Sequence, residues 1–317
     1  MNMTDNQPAI KVDNLVKFFG RKQILKGLGF NVPLNTIAGF LGPNGAGKTT
    51  TLRVLLGLIP NAQGQVSLLG HQIPACRTAA LEEIGAVVEN PAFIESLNAY
   101  ENLYWFGSLY KPLTRERILE VIEMVGLKDA TWQRFGTFST GMKQRLGVAF
   151  GILHRPRLLI LDEPTSGMDP AGRVHMREIL TRIHQQDSTS IFLSSHLLDE
   201  IQRLCNYVVI INDGKTVKEG YVSELLSDHH EKWEIRVSDE DAVKAREVIT
   251  ALPGSPASIA QGPRGLILTM AVGQSAFVNA ELVKAGVRVN AIIPLEASLE
   301  ETFIKLTGNG DSSGGGT

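Results

Sequence analysis

Residues 42–50 read Gly42-Pro43-Asn44-Gly45-Ala46-Gly47-Lys48-Thr49-Thr50, which fits the spacing G-x-x-x-x-G-K-[ST]. Glycines at this spacing let successive backbone N–H groups turn toward one anion with no Cβ in the way. A helix that starts directly after such a loop adds its positive end to the same anion. Lys48 can then reach the β- and γ-phosphates of a nucleoside triphosphate, and the Thr49 hydroxyl can ligate Mg²⁺. A second set of residues complements the first. Leu158-Leu159-Ile160-Leu161 runs into Asp162-Glu163-Pro164, an apolar run ending in two acids. Side chains alternate along a strand, so the two acids point differently. Asp162 is suited to hold Mg²⁺, which leaves Glu163 to orient or deprotonate an attacking water.

Particular elements must position these groups. Residues 36–41 (TIAGFL) form an apolar run that predicts a strand entering the glycine loop. Residues 49–58 predict a helix leaving it, with Leu52, Leu55 and Leu56 on one face. The runs 157–161 (RLLIL), 189–193 (TSIFL) and 207–211 (YVVII) have the continuous apolar character of strands buried on both faces of a parallel sheet. Upstream, the alternation of Ile10, Val12, Leu15, Val16, Ile24, Leu25, Phe30 and Val32 predicts short antiparallel strands, and Gly64 to Gly70 resembles a hairpin. From about Ala79 to Gly126 the pattern turns helical. It includes the ring-rich stretch Phe93, Tyr100, Tyr104, Trp105, Phe106 and Tyr110, most of which is expected to fill a helical core.

After about residue 228 the style changes. Strands are expected at Trp233–Val237, Gly265–Ala271 and Val287–Ile293, and helices at Asp239–Leu252, Phe277–Ala285 and Ser298–Leu306. That alternation predicts a small α/β appendage. Residues 1–8 read as a flexible lead, and the final GNGDSSGGGT as a disordered tail.

Composition excludes several classes. Lys and Arg number 31 against 33 Asp and Glu, a net charge of −2, so no global field draws the chain to nucleic acid or an anionic surface. No apolar run approaches the roughly 18–20 residues of a spanning helix. The N-terminus lacks the basic-then-apolar pattern of a signal peptide. Cys76 and Cys205 lie far apart and read as two reduced thiols.

The phosphate loop alone fits any P-loop NTPase; a further run of motifs narrows the field. Phe138-Ser139-Thr140-Gly141-Met142-Lys143-Gln144-Arg145 precedes the acidic strand. It resembles the signature of the ABC ATPase family, usually L-S-G-G-Q, with Thr140 in place of a glycine and Met142 in place of the glutamine. Ser139 is also a good N-cap for a helix carrying Leu146, Ala149, Phe150 and Leu153 on one face, with Pro156 helping to end it. Ser166-Gly167-Met168-Asp169 resembles the family's D-loop and Ser194-Ser195-His196 its H-loop. Lys17-Phe18-Phe19-Gly20 looks like its A-loop. In this order the motifs are specific, and the resemblance runs from roughly residue 10 to 228.

The resemblance implies a P-loop, ABC-type ATPase domain over 9–228, with a mixed sheet core, an antiparallel β subdomain and a helical subdomain over about 90–155. A small α/β domain would occupy 231–308 and the disordered tail 309–317. His196 would touch the γ-phosphate of ATP, and Phe19, the ring just before the glycine, is the better candidate to stack on adenine; the alternative for Phe18 is a place in the core. Ser139, Gly141 and Asp169 would act on a nucleotide held by a second copy or a related ATPase subunit. A separate membrane permease would hold the protein at the cytoplasmic face of the membrane. The ring-rich stretch lies where the family receives the permease.

One departure stands out. Ile84-Gly85-Ala86-Val87-Val88-Glu89 resembles the family's strand I-G-x-V-x-Q, but Glu89 stands where the glutamine is usual. A carboxylate there can still ligate Mg²⁺, at the cost of a negative charge near the phosphates. Glu89, the following Pro91-Ala92-Phe93 and the run Ala99-Tyr100-Glu101-Asn102-Leu103 are similar to the bacitracin- and lantibiotic-exporter branch, which implies export of a peptide, antibiotic or other amphipathic compound. The competing expectation is a soluble ABC-type ATPase uncoupled from transport.

Overall fold

The computed structural model describes residues 7–61, 63–89, 92–109, 113–226, 230–253, 256, 258–262, 264–271, 273–295, 299–300 and 303. Most of the expected lead, Tyr110, the expected tail and most of the expected helix at Ser298–Leu306 lie outside these residues. Contacts divide the chain into a unit that ends at Val222 and a second unit over Ser223–Lys305.

In the first unit, β1 (Ile10–Phe19) and β2 (Lys22–Val32) pair antiparallel, as the alternation predicts. β3 (Ile37–Leu41), buried at all five positions, leads through the glycine loop into α1 (Lys48–Leu55). The helix stops short of the expected Leu58 because Gly57 takes a left-handed conformation, φ 63°. β4 (Gln63–Leu68) and β5 (His71–Ile73) then complete the antiparallel sheet in the order β2-β1-β4-β5.

The helical expectation over 79–126 is interrupted. After α2 (Arg77–Glu82) the chain forms β6 (Ile84–Val87), and only then α3 (Ala99–Gly107) and α4 (Arg115–Met124). α5 (Thr140–Gly151) follows, starting at Ser139 as expected. Here Phe93 meets Phe106, Phe135 and Phe150 edge-on, with ring centroids 5.2–6.1 Å apart. Tyr104 and Trp105 instead face outward.

β7 (Leu158–Asp162), α6 (Pro170–Asp187), β8 (Ser190–Ser195), α7 (Leu198–Leu204), β9 (Tyr207–Asn212) and β10 (Lys215–Tyr221) finish this unit before α8 (Val222–Leu226). The larger sheet has the order β10-β9-β3-β8-β7-β6. It is parallel except for β10, which pairs antiparallel with β9 at one edge. Phe30 of the antiparallel sheet packs on Phe40 and Phe192 of the parallel one at 5.4–5.8 Å, so the two sheets share a core. Each fully buried ring or aliphatic side chain there contributes roughly 1.5–3 kcal/mol.

This topology brings the chemistry together. β3, β7 and β8 are neighbours and parallel, so their C-terminal ends open on one side of the sheet. Those ends carry the glycine loop, Asp162-Glu163 and Ser194-Ser195-His196. The register places Asp162 opposite Ser194, and Leu41 opposite Ser195.

The second unit contains β11 (His230–Val237), α9 (Ala242–Ala251), β12 (Ser258–Gln261), β13 (Leu266–Ala271), α10 (Ser275–Lys284) and β14 (Val289–Leu295). The strands pair antiparallel in the order β12-β13-β11-β14, the split βαβ arrangement. Ile235, Leu266, Leu268 and Met270 pack beneath Ala245 and Ile249 of α9 and Val278 and Leu282 of α10. β12 was not foreseen: it is a four-residue edge strand with no buried residue and so no hydrophobic pattern. Among the described residues no helix is long and apolar enough to cross a membrane.

Candidate active site

The loop after β3 is built for an anion. Gly47 caps α1 at φ 104°, a conformation that favours glycine, and a Cβ on it would press on Leu25 Cδ2 at 2.7 Å. No side chain caps this helix, which leaves the N–H groups of its first turn facing the loop. Lys48 is only 6% exposed. Its ammonium donates to the carbonyls of Gly42 at 2.8 Å and Pro43 at 3.3 Å, which curls the loop around it. Burial holds Lys48 below the ordinary lysine range, against the opposing pull of Glu163 and Asp162.

Glu163 is the focus of the site. Its Oε1 lies 3.6 Å from Lys48 Nζ and 3.2 Å from His196 Nδ1. Its backbone sits at φ 46°, a left-handed conformation that is costly for a non-glycine residue and persists where surroundings enforce it. One enforcing contact is visible: the Glu163 N–H donates to Ser194 Oγ at 2.9 Å. The same hydroxyl donates to Asp162 Oδ1 at 2.6 Å. β7 ends at Asp162, so strand alternation does not govern Glu163, and both acids are tied to one fully buried serine.

Thr49, Glu89, Gln144, Asp162, Glu163 and Ser166 line an open cavity of about 550 Å³ beside the loop. The expected Mg²⁺ ligands Thr49, Asp162 and Glu89 therefore line one cavity. Glu89 is exposed and its carboxylate pairs with the Arg53 guanidinium.

Other expected site residues stand elsewhere. Phe19 is an exposed ring at the end of β1, with the Lys17 ammonium 5.2 Å from its centroid. Phe18 is exposed as well, so the alternative of a place in the core does not hold for it. Ser139 is exposed and accepts the Met142 N–H at 3.3 Å, capping α5. Gly141 faces Met168, and Thr140 faces Gly167, which sets the start of α5 against the 166–169 loop. Asp169 accepts the Gly172 N–H at 3.0 Å and caps α6. None of Phe19, Ser139, Gly141 and Asp169 belongs to the cavity wall.

Residues 25–166 match the family model described as ABC transporter. Over 303 residues the chain is 39% identical to the bacitracin transport ATP-binding protein BcrA of Bacillus licheniformis, spanning 95% of this chain and 98% of that one. The chain belongs to the ABC transporter ATP-binding proteins. A second relative is the uncharacterized ABC transporter ATP-binding protein YdbJ of Bacillus subtilis, 37% identical over 95% of this chain and 96% of that one. A solved ATP-binding subunit of an ABC transporter superimposes with a TM-score of 0.61 at 25% identity, covering 68% of this chain and 91% of the other.

This ABC ATPase is thus an ATP-binding and ATP-hydrolysing subunit with the fold that its motifs implied. In the sequence Ser194, Gln144 and Ser166 stand only as members of motifs, with no individual role, and Arg53 is not singled out at all. Ser194 carries a legible signal, since it stands one residue before the end of a buried strand next to the one bearing the acids. Arg53 carries one too, standing a helical turn beyond Thr49 on α1.

Proposed function

We propose that this subunit hydrolyses ATP at the meeting of Lys48, Asp162, Glu163 and His196 and works as one of a pair, powering export through a separate membrane permease. The observation that carries the reading is Glu163, held within reach of both Lys48 and His196 while Ser194 fixes its backbone. Glu163 is the general base for the attacking water, and Lys48 and the loop Gly42–Thr50 hold the phosphates. His196 orients Glu163 and contacts the γ-phosphate. Phe19, exposed and at the edge of the unit, offers its face to adenine.

The donors Thr49, Asp162 and Glu89 are all hard oxygens, and they fit Mg²⁺, which is held by one or two carboxylates together with substrate phosphates rather than by a protein-only cage. When bound, Mg²⁺ neutralises charge on the β- and γ-phosphates. The exposed position of Ser139, outside the wall of its own cavity, suits contact, together with Gly141 and Asp169, with the nucleotide site of a second subunit.

The outward rings Tyr104, Trp105 and Trp132 suit contact with the permease, since aromatics are enriched at interface cores. The cargo inferred is a peptide, antibiotic or other amphipathic compound. This rests on the likeness to the bacitracin transport protein. Membrane association is the test. The full chain is expected to sediment with membranes that hold its permease and to raise cell survival in bacitracin-like peptides. A chain that stays soluble, hydrolyses ATP at full rate alone and leaves survival unchanged would favour the uncoupled ATPase.

A further inference from the structure

Three carboxylates line the cavity where the triphosphate is proposed to sit, and two of them have partners suited to the site. Asp162 is bonded by Ser194, and Glu163 lies between Lys48 and His196. The third, Glu89, stands where the family's pattern has a neutral amide. A carboxylate there adds an anion beside a ligand that is itself strongly anionic, and like charges at this range are mutually unfavourable. The backbone of Glu89 is held at φ 68°, a left-handed conformation uncommon for a non-glycine residue, so its side chain is directed from a constrained position. That side chain meets the guanidinium of Arg53. Arg53 lies four residues beyond Thr49 on α1, so the cation and the Thr49 hydroxyl rise from one face of one helix.

We infer that Arg53 is a positioning residue for the nucleotide site: it neutralises Glu89 and holds its carboxylate on the cavity wall, so that the third carboxylate does not face the triphosphate without a partner. The inference rests on the nucleotide reading of the cavity. Arg53 acts through Glu89 and is not itself a catalytic residue. Both partners are partly exposed, so the effect is modest and sensitive to salt.

The test is a double-mutant cycle read by titrating a fluorescent ATP analogue in EDTA, so that no metal contributes. The full chain is compared with Arg53→Met, Glu89→Gln and the double variant. Arg53→Met is expected to weaken binding about fivefold when Glu89 is present and less than about twofold when it is replaced. The loss should shrink at high salt, and Arg53→Lys, which keeps the charge, should stay within about twofold of the original. Equal losses in both backgrounds, or no loss in either, would overturn the inference while leaving the nucleotide reading intact. Failure of the unsubstituted chain to bind the analogue both in EDTA and with Mg²⁺ present would remove the nucleotide reading, and this inference with it.

Discussion

The Ser194 hydroxyl donates a 2.6 Å hydrogen bond to the Asp162 carboxylate across the β7–β8 pair, and it accepts the N–H of the next residue, Glu163. One buried side chain thereby ties down two acids for which different tasks are proposed. Ser194→Ala leaves both groups without this partner, which is expected to cost about 1–3 kcal/mol of stability. ATP affinity should be nearly kept while turnover falls, because Glu163 loses its fixed backbone. Urea unfolding and steady-state kinetics check this; an unchanged kcat would mean that Glu163 is positioned by other contacts.

Gly85 on β6 and Gly151 near the end of α5 face each other so closely that a Cβ on Gly85 would collide with the Gly151 carbonyl oxygen. That contact seats the helix whose other end bears Ser139. Gly85→Ala is expected to destabilise the first unit by about 1–3 kcal/mol, as overpacking a tight site does. Calorimetry that finds no loss would show that β6 and α5 are not packed in this way.

The legible parts of this molecule are those where one physical requirement dominates. Strands buried on both faces announce themselves as unbroken apolar runs, so β3, β7, β8 and β9 were readable within a residue or two. The glycine loop was readable because close approach to an anion restricts residue type at fixed spacing. β10 and β12 were not, since both lie at sheet edges and their residues are exposed or half-buried. β6 was legible only through its likeness to the strand I-G-x-V-x-Q, because the text around it is helical. In the site, each acid was legible by its place at a strand end. The Ser194 link and the Arg53–Glu89 pair were not, because they join residues 32 and 36 positions apart that only the fold brings together.

Ser139 is exposed at the start of α5 and absent from the wall of its own cavity. Ser139→Arg removes a cap worth about 1 kcal/mol and should leave a folded chain. Nucleotide affinity of the isolated subunit should be unchanged. In a Glu163→Gln background, which slows hydrolysis, ATP-dependent dimerisation should be lost. Dimers that persist on analytical ultracentrifugation would place Ser139 outside the subunit interface.

The central claim is that two copies of this chain clasp ATP and that Glu163 opens the clasp by hydrolysis. Light scattering on Glu163→Gln with and without ATP tests it most directly. Loss of a general base lowers turnover about 10²–10⁴-fold, so the bound state accumulates. The account predicts that ATP shifts the variant from the 34.5 kDa chain to twice that mass, and that the original protein shifts only transiently. A Glu163→Gln protein that stays monomeric with ATP bound, or that hydrolyses ATP at the original rate, would contradict it.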